Sequence, residues 1–182
     1  MPGNGGVPIL VFDAGTVKKA KQGDADSFAK LYDGIALDLY KVALYTLKNP
    51  QDAQDAVSET FIEAYKGISN LRDENSFKNW MMTILSARCK RIISRYIKER
   101  KNVNFDEIHY LSSPERDNPG SERLALSDAL DKLSAEERQI VVLASVQGYT
   151  SREIAQMMGM PQGTVSSKLY RSLKKMRQYL EQ

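Results

Sequence analysis

The chain has 182 residues, of which 42% are hydrophobic and 27% charged, a composition typical of a folded, soluble protein rather than a disordered one. No apolar run approaches the roughly 20 residues that span a bilayer, and the Gly-rich start lacks the early basic residue of a secretory signal, so we expect no membrane insertion. The single cysteine, Cys89, excludes an internal disulfide and a multi-cysteine metal site and favours a reducing, cytoplasmic location.

The charged residues are unevenly distributed, although the net charge is only +3. Residues 88–101 and 168–177 are strongly basic, whereas every charge between residues 51 and 63 is acidic. Two basic segments and one acidic stripe on a single chain suggest two different kinds of partner. The acidic residues are Asp52, Asp55, Glu59 and Glu63.

Helical periodicity runs through the first half of the chain. After a weakly extended segment at residues 7–12, apolar residues recur at three- and four-residue steps over residues 28–39 and 53–65. A third helix is predicted from Ser76, a suitable N-cap, to about Lys98. Its apolar stripe consists of Met81, Leu85, Cys89, Ile92 and Tyr96.

Proline, glycine and serine interrupt this pattern at residues 102–121, which we interpret as a flexible linker; the alternative is a loop packed on one domain. The sequence therefore predicts an all-α fold of two small helical domains. Residues 1–23 form a tail and the start of the first helix, residues 24–101 the first domain and residues 122–182 the second.

The second domain has the pattern of a helix-turn-helix. Two capping boxes start successive helices, a glycine ends the short second one, and a proline suits the first turn of the last helix. These signals are Ser134 with Glu137, Thr150 with Glu153, Gly159 and Pro161.

The last helix has an apolar stripe and a polar face. The stripe is Val165, Leu169, Leu173, Met176 and Leu180. A helix of this kind fits the major groove of DNA, where its early residues reach base edges and its later cations contact phosphates. A solvated face on an ordinary helical hairpin is the alternative that charge alone leaves open. The polar face consists of Thr164, Ser166, Ser167, Lys168, Tyr170, Arg171 and Lys175.

Several segments together resemble the sigma factors of bacterial RNA polymerase. Residues 133–143, 148–155 and 163–171 are similar to region four of that family, residues 52–65 to region two, and residues 77–80 to its strand-separating part. The match extends over residues 24–180 apart from the linker. The two-domain form resembles the extracytoplasmic-function group.

The resemblance implies a factor that binds core RNA polymerase, directs it to specific promoters and helps to melt the DNA, with no catalysis or cofactor of its own. The polar face of the last helix would read the minus-thirty-five element. A loop at residues 70–76 and the helix after it would capture the minus-ten element, with Leu71, Asn75, Trp80, Arg88, Arg91 and Arg95 as the matching positions. Core polymerase would bind Asp52, Asp55, Ser58 and Glu59. An anti-sigma factor is a further expected partner.

Alternatives remain for individual residues. The acidic stripe is otherwise a solvated helix face, and Trp80 is otherwise a core anchor for Phe61 or Phe77. Two positions depart from the family pattern: Ala87 stands where many relatives have asparagine near the flipped base, and Ser166 where many have a basic residue.

Two other functions compete. A stand-alone helix-turn-helix regulator would bind duplex DNA without polymerase, usually as a dimer on a palindrome. An enzyme is disfavoured because the only histidine, His109, falls in the predicted linker and no phosphate-binding glycine loop or nucleophile motif is present.

Overall fold

The computed structural model describes residues 12–102 and 121–181. Within these ranges the chain forms α-helices and short 3₁₀ helices and no strand, which confirms the all-α prediction. The predicted linker with His109 and, apart from Phe12, the segment predicted to be weakly extended lie outside the described residues. The α-helices are α1 (Ala14–Lys21), α2 (Ala25–Leu47), α3 (Pro50–Gly67), α4 (Phe77–Asn102), α5 (Ser121–Asp131), α6 (Ala135–Ser145), α7 (Ser151–Met158) and α8 (Gln162–Leu180).

Side-chain caps explain where most of these helices begin. Asp13, Asp24 and Asn49 each accept hydrogen bonds from backbone N–H groups of the following first turn, which otherwise lack partners. The predicted N-cap of α4, Ser76, directly precedes the first helical residue, Phe77, as expected. Ser76 ends a 3₁₀ turn whose cap is Asp73, and α4 begins at Phe77.

The helix-turn-helix forms as its sequence signals predict. Both capping boxes are complete, with Ser134 and Thr150 accepting from the N3 backbone while Glu137 and Glu153 accept from the cap backbone. Gly159 ends α7 in the left-handed conformation, at φ 64°, which only glycine adopts without strain.

The start of α8 differs from the prediction by one residue. Pro161 is its N-cap rather than its first helical residue, and its extended backbone (φ −62°, ψ 138°) leads directly into the helix. Its carbonyl accepts from the N–H groups of Thr164 and Val165.

The two halves of the chain pack against each other through one shared hydrophobic core. Helices α1 to α4 supply most of it, including the fully buried Leu39 and Leu85, and α6 to α8 insert residues such as Ile140 and Ile154. Helix α6 lies on α2 and α7 lies on α4. A smaller satellite cluster joins α5, α6 and α8 around Met176.

Polar contacts reinforce this packing between the halves. The Arg138 guanidinium on α6 donates to the carbonyl oxygens of Tyr45 and Thr46 in the last turn of α2, at 3.0 to 3.3 Å. The buried Gln139 amide donates to Ser86 Oγ on α4 at 3.1 Å. Arg138 therefore supplies donors to carbonyls that have no partner within their own helix.

The buried stripe of α8 differs from the prediction. Leu173 and Leu180 are exposed, whereas Ser172 is buried and Tyr179 is half-buried. The steps of four, three, four and three residues keep the stripe on one side of the helix, so it follows a period near 3.5. It consists of Val165, Leu169, Ser172, Met176 and Tyr179. Among the described residues, no helix is both long and apolar enough to cross a membrane.

Candidate nucleic-acid interface

Helix α8 presents a polar face to solvent in its first half. The side chains of Ser166, Ser167 and Arg171 are exposed, and Tyr170, at 70% exposed, is the most exposed large hydrophobic residue in the described part of the chain. Glycine at position 163 leaves open space beside the first turn. These exposed side chains carry hydrogen-bond donors, and a helix face of this kind can enter the major groove.

Three other predicted members of this face lie on its edge, toward α5 and α6. Lys168 forms an ion pair with Glu136 at 2.8 Å, and Lys175 Nζ donates to the carbonyl oxygen of Lys132 at 2.5 Å. Thr164 is half-buried. These contacts hold both lysines against the domain surface, whereas the exposed Lys174 projects from the same side as Tyr170 and was missing from the predicted reading face.

The loop of residues 70–76 has a buried side and an exposed side. Leu71 is buried in the core, whereas Arg72, Asp73 and Asn75 are exposed. The Asp73 carboxylate accepts from the Asn75 backbone at 3.0 Å, from its side-chain amide at 3.1 Å and from Ser76 Oγ at 2.8 Å. These hydrogen bonds, with that of Ser76 largest, lower the pKa of Asp73.

Trp80 is half-buried on α4 at the edge of this loop. Its ring lies 6.3 Å from that of Phe77, and its Cζ2 atom lies 3.5 Å from the position of a Cβ at Gly67. The structure thus places the indole against Phe77, as the core-anchor alternative predicts, and leaves part of its surface open.

The three arginines expected on α4 have different surroundings. Arg88 is half-buried, and its guanidinium forms ion pairs with Glu59, at 2.9 Å, and with Glu63. The hydrogen bond that it donates to Glu63 is the main cause that raises its pKa. Arg95 is more than half exposed and lies 3.7 Å from Asp52. Arg91 is exposed on the outer face of the helix.

The outer face of α4 therefore does not contain all three arginines that were predicted to lie there. Lys90, Arg91 and Ser94 are exposed there together with Ala87, one turn before Arg91. The sequence grouped these arginines by their shared helix side and by resemblance, and only the carboxylates of Glu59 and Glu63 on α3 separate Arg88 from this surface.

The acidic stripe on α3 is only partly solvent-exposed. Asp52 is 8% exposed and accepts a hydrogen bond from the Tyr96 hydroxyl, a contact that raises the pKa of Tyr96. The prediction of one exposed strip is therefore wrong at Asp52. Asp55, Ser58 and Glu59 remain exposed.

An apolar surface beside these residues was missed by sequence reasoning. Ile62 and Tyr65 follow Ser58 by one and two turns and are 56% and 58% exposed. Tyr65 packs edge-on against Phe28 at 5.1 Å, and the neighbouring ring of Tyr32 lies 4.2 Å from that of Phe61. Ile62 lies outside the periodic apolar residues of α3, which is the sequence signal for it. Tyr65 was predicted to be one of those periodic residues, and its exposure contradicts that prediction.

Comparison with known proteins matches both halves of the chain to models of one family. A sequence model described as "Sigma-70 region 2" matches residues 31–100, and one described as "Sigma-70, region 4" matches residues 123–176. The chain belongs to the sigma-70 family of bacterial sigma factors. The region 2 match covers α3, the loop and most of α4, and the region 4 match covers the helix-turn-helix.

Curated relatives place this sigma factor in the extracytoplasmic-function group. The chain is 28% identical to the ECF sigma factor SigL of Mycobacterium tuberculosis over 176 residues, covering 91% of this chain and 96% of that protein. It is 27% identical to the ECF sigma-E factor of Haemophilus influenzae over 175 residues, covering 88% and 90%. It is 28% identical to the ECF sigma factor BldN of Streptomyces coelicolor over 87% of this chain, but that match spans only 62% of BldN.

Solved structures share the fold. The sigma factor RpoE from Bartonella quintana, in complex with the anti-sigma factor NepR, has a TM-score of 0.66 and 19% identity, with 86% of this chain and 98% of that chain covered. CnrH in complex with the cytosolic domain of CnrY has a TM-score of 0.68 and 20% identity, with 93% and 97% covered.

The sigma factor is consequently a promoter-specific initiation factor of RNA polymerase and not an enzyme. A stand-alone regulator would account for region 4 but not for region 2, which matches residues 31–100 of this sigma factor.

Proposed function

We propose that this sigma factor reads its promoter at two separate places while α3 holds it on the polymerase. The domain assignment that we propose is a region-two domain at residues 24–101 and a region-four domain at residues 122–182. The observation that carries the proposal is the exposed start of α8, where Ser166, Ser167, Tyr170 and Arg171 face solvent together.

At the minus-thirty-five element, Arg171 is the residue suited to base recognition. Its exposed guanidinium has the fork geometry that pairs with O6 and N7 of guanine. Ser166 and Ser167 reach either bases or phosphates, and the Tyr170 ring supplies apolar contact. Lys168 and Lys175 contact DNA at the edge of the groove. The ion pair of Lys168 and the hydrogen bond of Lys175 hold them there.

At the minus-ten element, the loop of residues 70–76 receives an unstacked base. Asn75 offers donor and acceptor groups to a base edge, and the open part of Trp80 offers a stacking surface. Arg91, with Lys90 beside it, tracks the DNA backbone, whereas Arg88 keeps α4 attached to α3. Unstacking costs a few kcal/mol, which such contacts offset.

Core polymerase binds the exposed side of α3. Asp55, Ser58 and Glu59 supply the polar part of this surface, and Ile62 and Tyr65 supply an apolar part. Charge complementarity orients the encounter, while burial of the apolar side chains provides most of the affinity. Asp52 contributes to core binding only indirectly, because its carboxylate is buried against Tyr96.

Reading both elements requires the two halves to separate. The elements are named for positions roughly 25 base pairs apart, which is about 85 Å along B-DNA at 3.4 Å per base pair. Helices α6 and α7 instead lie directly on α2 and α4. The polymerase therefore binds an opened form in which each half contacts its own element.

Two further assignments follow from the relatives. The RpoE structure contains the anti-sigma factor NepR and the CnrH structure contains the cytosolic domain of CnrY, and we propose an anti-sigma partner for this sigma factor. We also propose a cytoplasmic location, together with the polymerase.

The proposal is tested by mixing the purified chain with core polymerase and a randomised duplex promoter library. We expect specific transcription from a selected subset and stable association with core. The replacement Ile62→Asp should weaken core binding, while the matched exposed position Ile97→Asp on α4 should not. Failure to bind core, together with tight binding to duplex DNA alone, would overturn the proposal.

A further inference from the structure

The N-terminal helix α1 lies against the loop of residues 70–76. It contacts both short 3₁₀ helices, Ile68–Asn70 and Glu74–Ser76, which frame that loop. Its inner side chains Val17 and Ala20 are buried. The family models match neither this helix nor any residue before position 31.

A lysine connects the end of α1 directly to the loop. Lys21 Nζ lies 2.6 Å from Glu74 Oε1, and the two side chains are 19% and 28% exposed. The hydrogen bond from Lys21 is the main cause that lowers the pKa of Glu74. Glu74 follows Asp73 and precedes Asn75, so the ion pair fixes the centre of the loop.

An aromatic contact fixes the other side of the loop. The ring of Phe12, just before α1, meets that of Phe77 edge-on at 5.2 Å between centroids. Phe77 is fully buried, begins α4 and also contacts Trp80. The segment from Phe12 to Lys21 therefore touches the loop at its middle and at its end.

Hydrogen bonds within the loop couple the position of Glu74 to that of the exposed Asn75. Asp73 holds the backbone and the amide of Asn75, and Ser76 N donates to the Asp73 carbonyl at 3.0 Å. A displacement of Glu74 would therefore move Asn75 with it. Recognition of an unstacked base depends on donors held within a fraction of an ångström.

We infer that Lys21 is a positioning residue for promoter melting: through Glu74 it holds the loop of residues 70–76 in the conformation that receives an unstacked promoter base. This rests on the minus-ten role proposed above for that loop. Lys21 does not touch the DNA itself, so its effect is confined to melting, and association with core and contact by α8 do not depend on it.

The test uses holoenzyme reconstituted from core polymerase and the full chain. The probe is a promoter selected by the wild-type holoenzyme from a randomised duplex library, with 2-aminopurine in place of an adenine in its minus-ten element. For Lys21→Met and Glu74→Gln we expect melting, followed by fluorescence, to slow by roughly two- to fivefold, the range of a partly exposed ion pair. Core affinity and protection of the upstream element should match wild type.

Matched variants separate positioning from loss of charge or folding. Lys18→Met removes the same charge from the exposed side of α1 and should melt the promoter at the wild-type rate. The charge-swapped pair Lys21→Glu with Glu74→Lys should recover most of the lost rate, while each single reversal should be slower than the neutral variants. Helix content by circular dichroism checks that all variants are folded.

Different results would contradict the minus-ten role of the loop and the positioning role of Lys21. If the wild-type holoenzyme gives no fluorescence change on any selected promoter, the minus-ten role of the loop is wrong. If wild type melts the promoter and Lys21→Met melts it equally fast, or the swapped pair is no faster than the single reversals, the positioning role of Lys21 is wrong.

Discussion

The contact most open to a direct test is the one that Arg138 makes between the halves. Its guanidinium donates to the carbonyl oxygens of Tyr45 and Thr46 across the interface, and to that of Leu133 at 2.7 Å within its own half. The replacement Arg138→Ala removes these donors and leaves the end of α2 without them. We predict that the two halves then separate more readily.

The magnitude follows from the chemistry of the lost contacts. Hydrogen bonds from a charged donor contribute about 1.5–3 kcal/mol each, and the interaction of a cation with a helix C-terminus adds roughly 0.3–1 kcal/mol. Because part of the guanidinium is solvated, we count its contacts with α2 together as one such hydrogen bond plus the helix-terminus interaction. A net loss of about 2–3 kcal/mol changes the ratio of separated to packed molecules by roughly 30- to 160-fold.

The assay is energy transfer between dyes on cysteines introduced at Lys30 in α2 and Gln178 in α8, which are both exposed. The native Cys89 does not interfere, because it is buried and burial raises its pKa to about 12. Arg138→Ala should shift the population toward low transfer efficiency. Arg152→Ala, an exposed arginine in the same half, is the control. Identical transfer distributions in Arg138→Ala and wild type would refute the reasoning.

Three further predictions concern single groups. Thr150→Ala removes the cap that accepts from Glu153 N and should lower the free energy of unfolding by about 1 kcal/mol in urea titrations; an unchanged midpoint would contradict it. Tyr149→Phe removes a buried hydroxyl that has no hydrogen-bond partner among the described residues, and it should raise the melting temperature, with a lower one counting against this view. The hydrogen bond from Ser134 N lowers the pKa of Glu137 below its ordinary 4.5, so its stabilising effect is present above about pH 4.5 and is lost as the pH falls through the lower folded value. Glu137→Gln should therefore flatten the fall in stability between pH 6 and pH 3, and equal slopes in variant and wild type would disprove it.

Local signals in the sequence predicted the secondary structure well. The capping boxes at Ser134 and Thr150 and the glycine at position 159 act within one helical turn, so their effect does not depend on the rest of the chain. The helix-turn-helix and the exposed Arg171 followed from these signals and the periodicity of α8.

Features that depend on tertiary contacts were not predictable in this way. Asp52 looked like its acidic neighbours, and only the fold brings Tyr96 against it. Arg88 looked like a DNA contact until α3 placed two carboxylates beside it. The packing of α6 and α7 on α2 and α4 joins residues far apart in the chain, which no local pattern encodes.

The stripe of α8 illustrates a smaller ambiguity. Leu173 is more hydrophobic than Ser172, yet Ser172 is the buried residue. Both positions are compatible with a helical repeat, and the packing of α5, α6 and α7 against α8 decides which of them is buried.

The central claim is that one chain reads two promoter elements when polymerase holds it. The most direct measurement is the promoter preference of reconstituted holoenzyme, wild type and Arg171→Ala, selected from a library randomised at both elements. The account predicts that Arg171→Ala loses about 1–3 kcal/mol of discrimination at one base pair of the upstream element, while minus-ten preference and core affinity stay unchanged. Loss of core binding, or equal loss of preference at both elements, would contradict it.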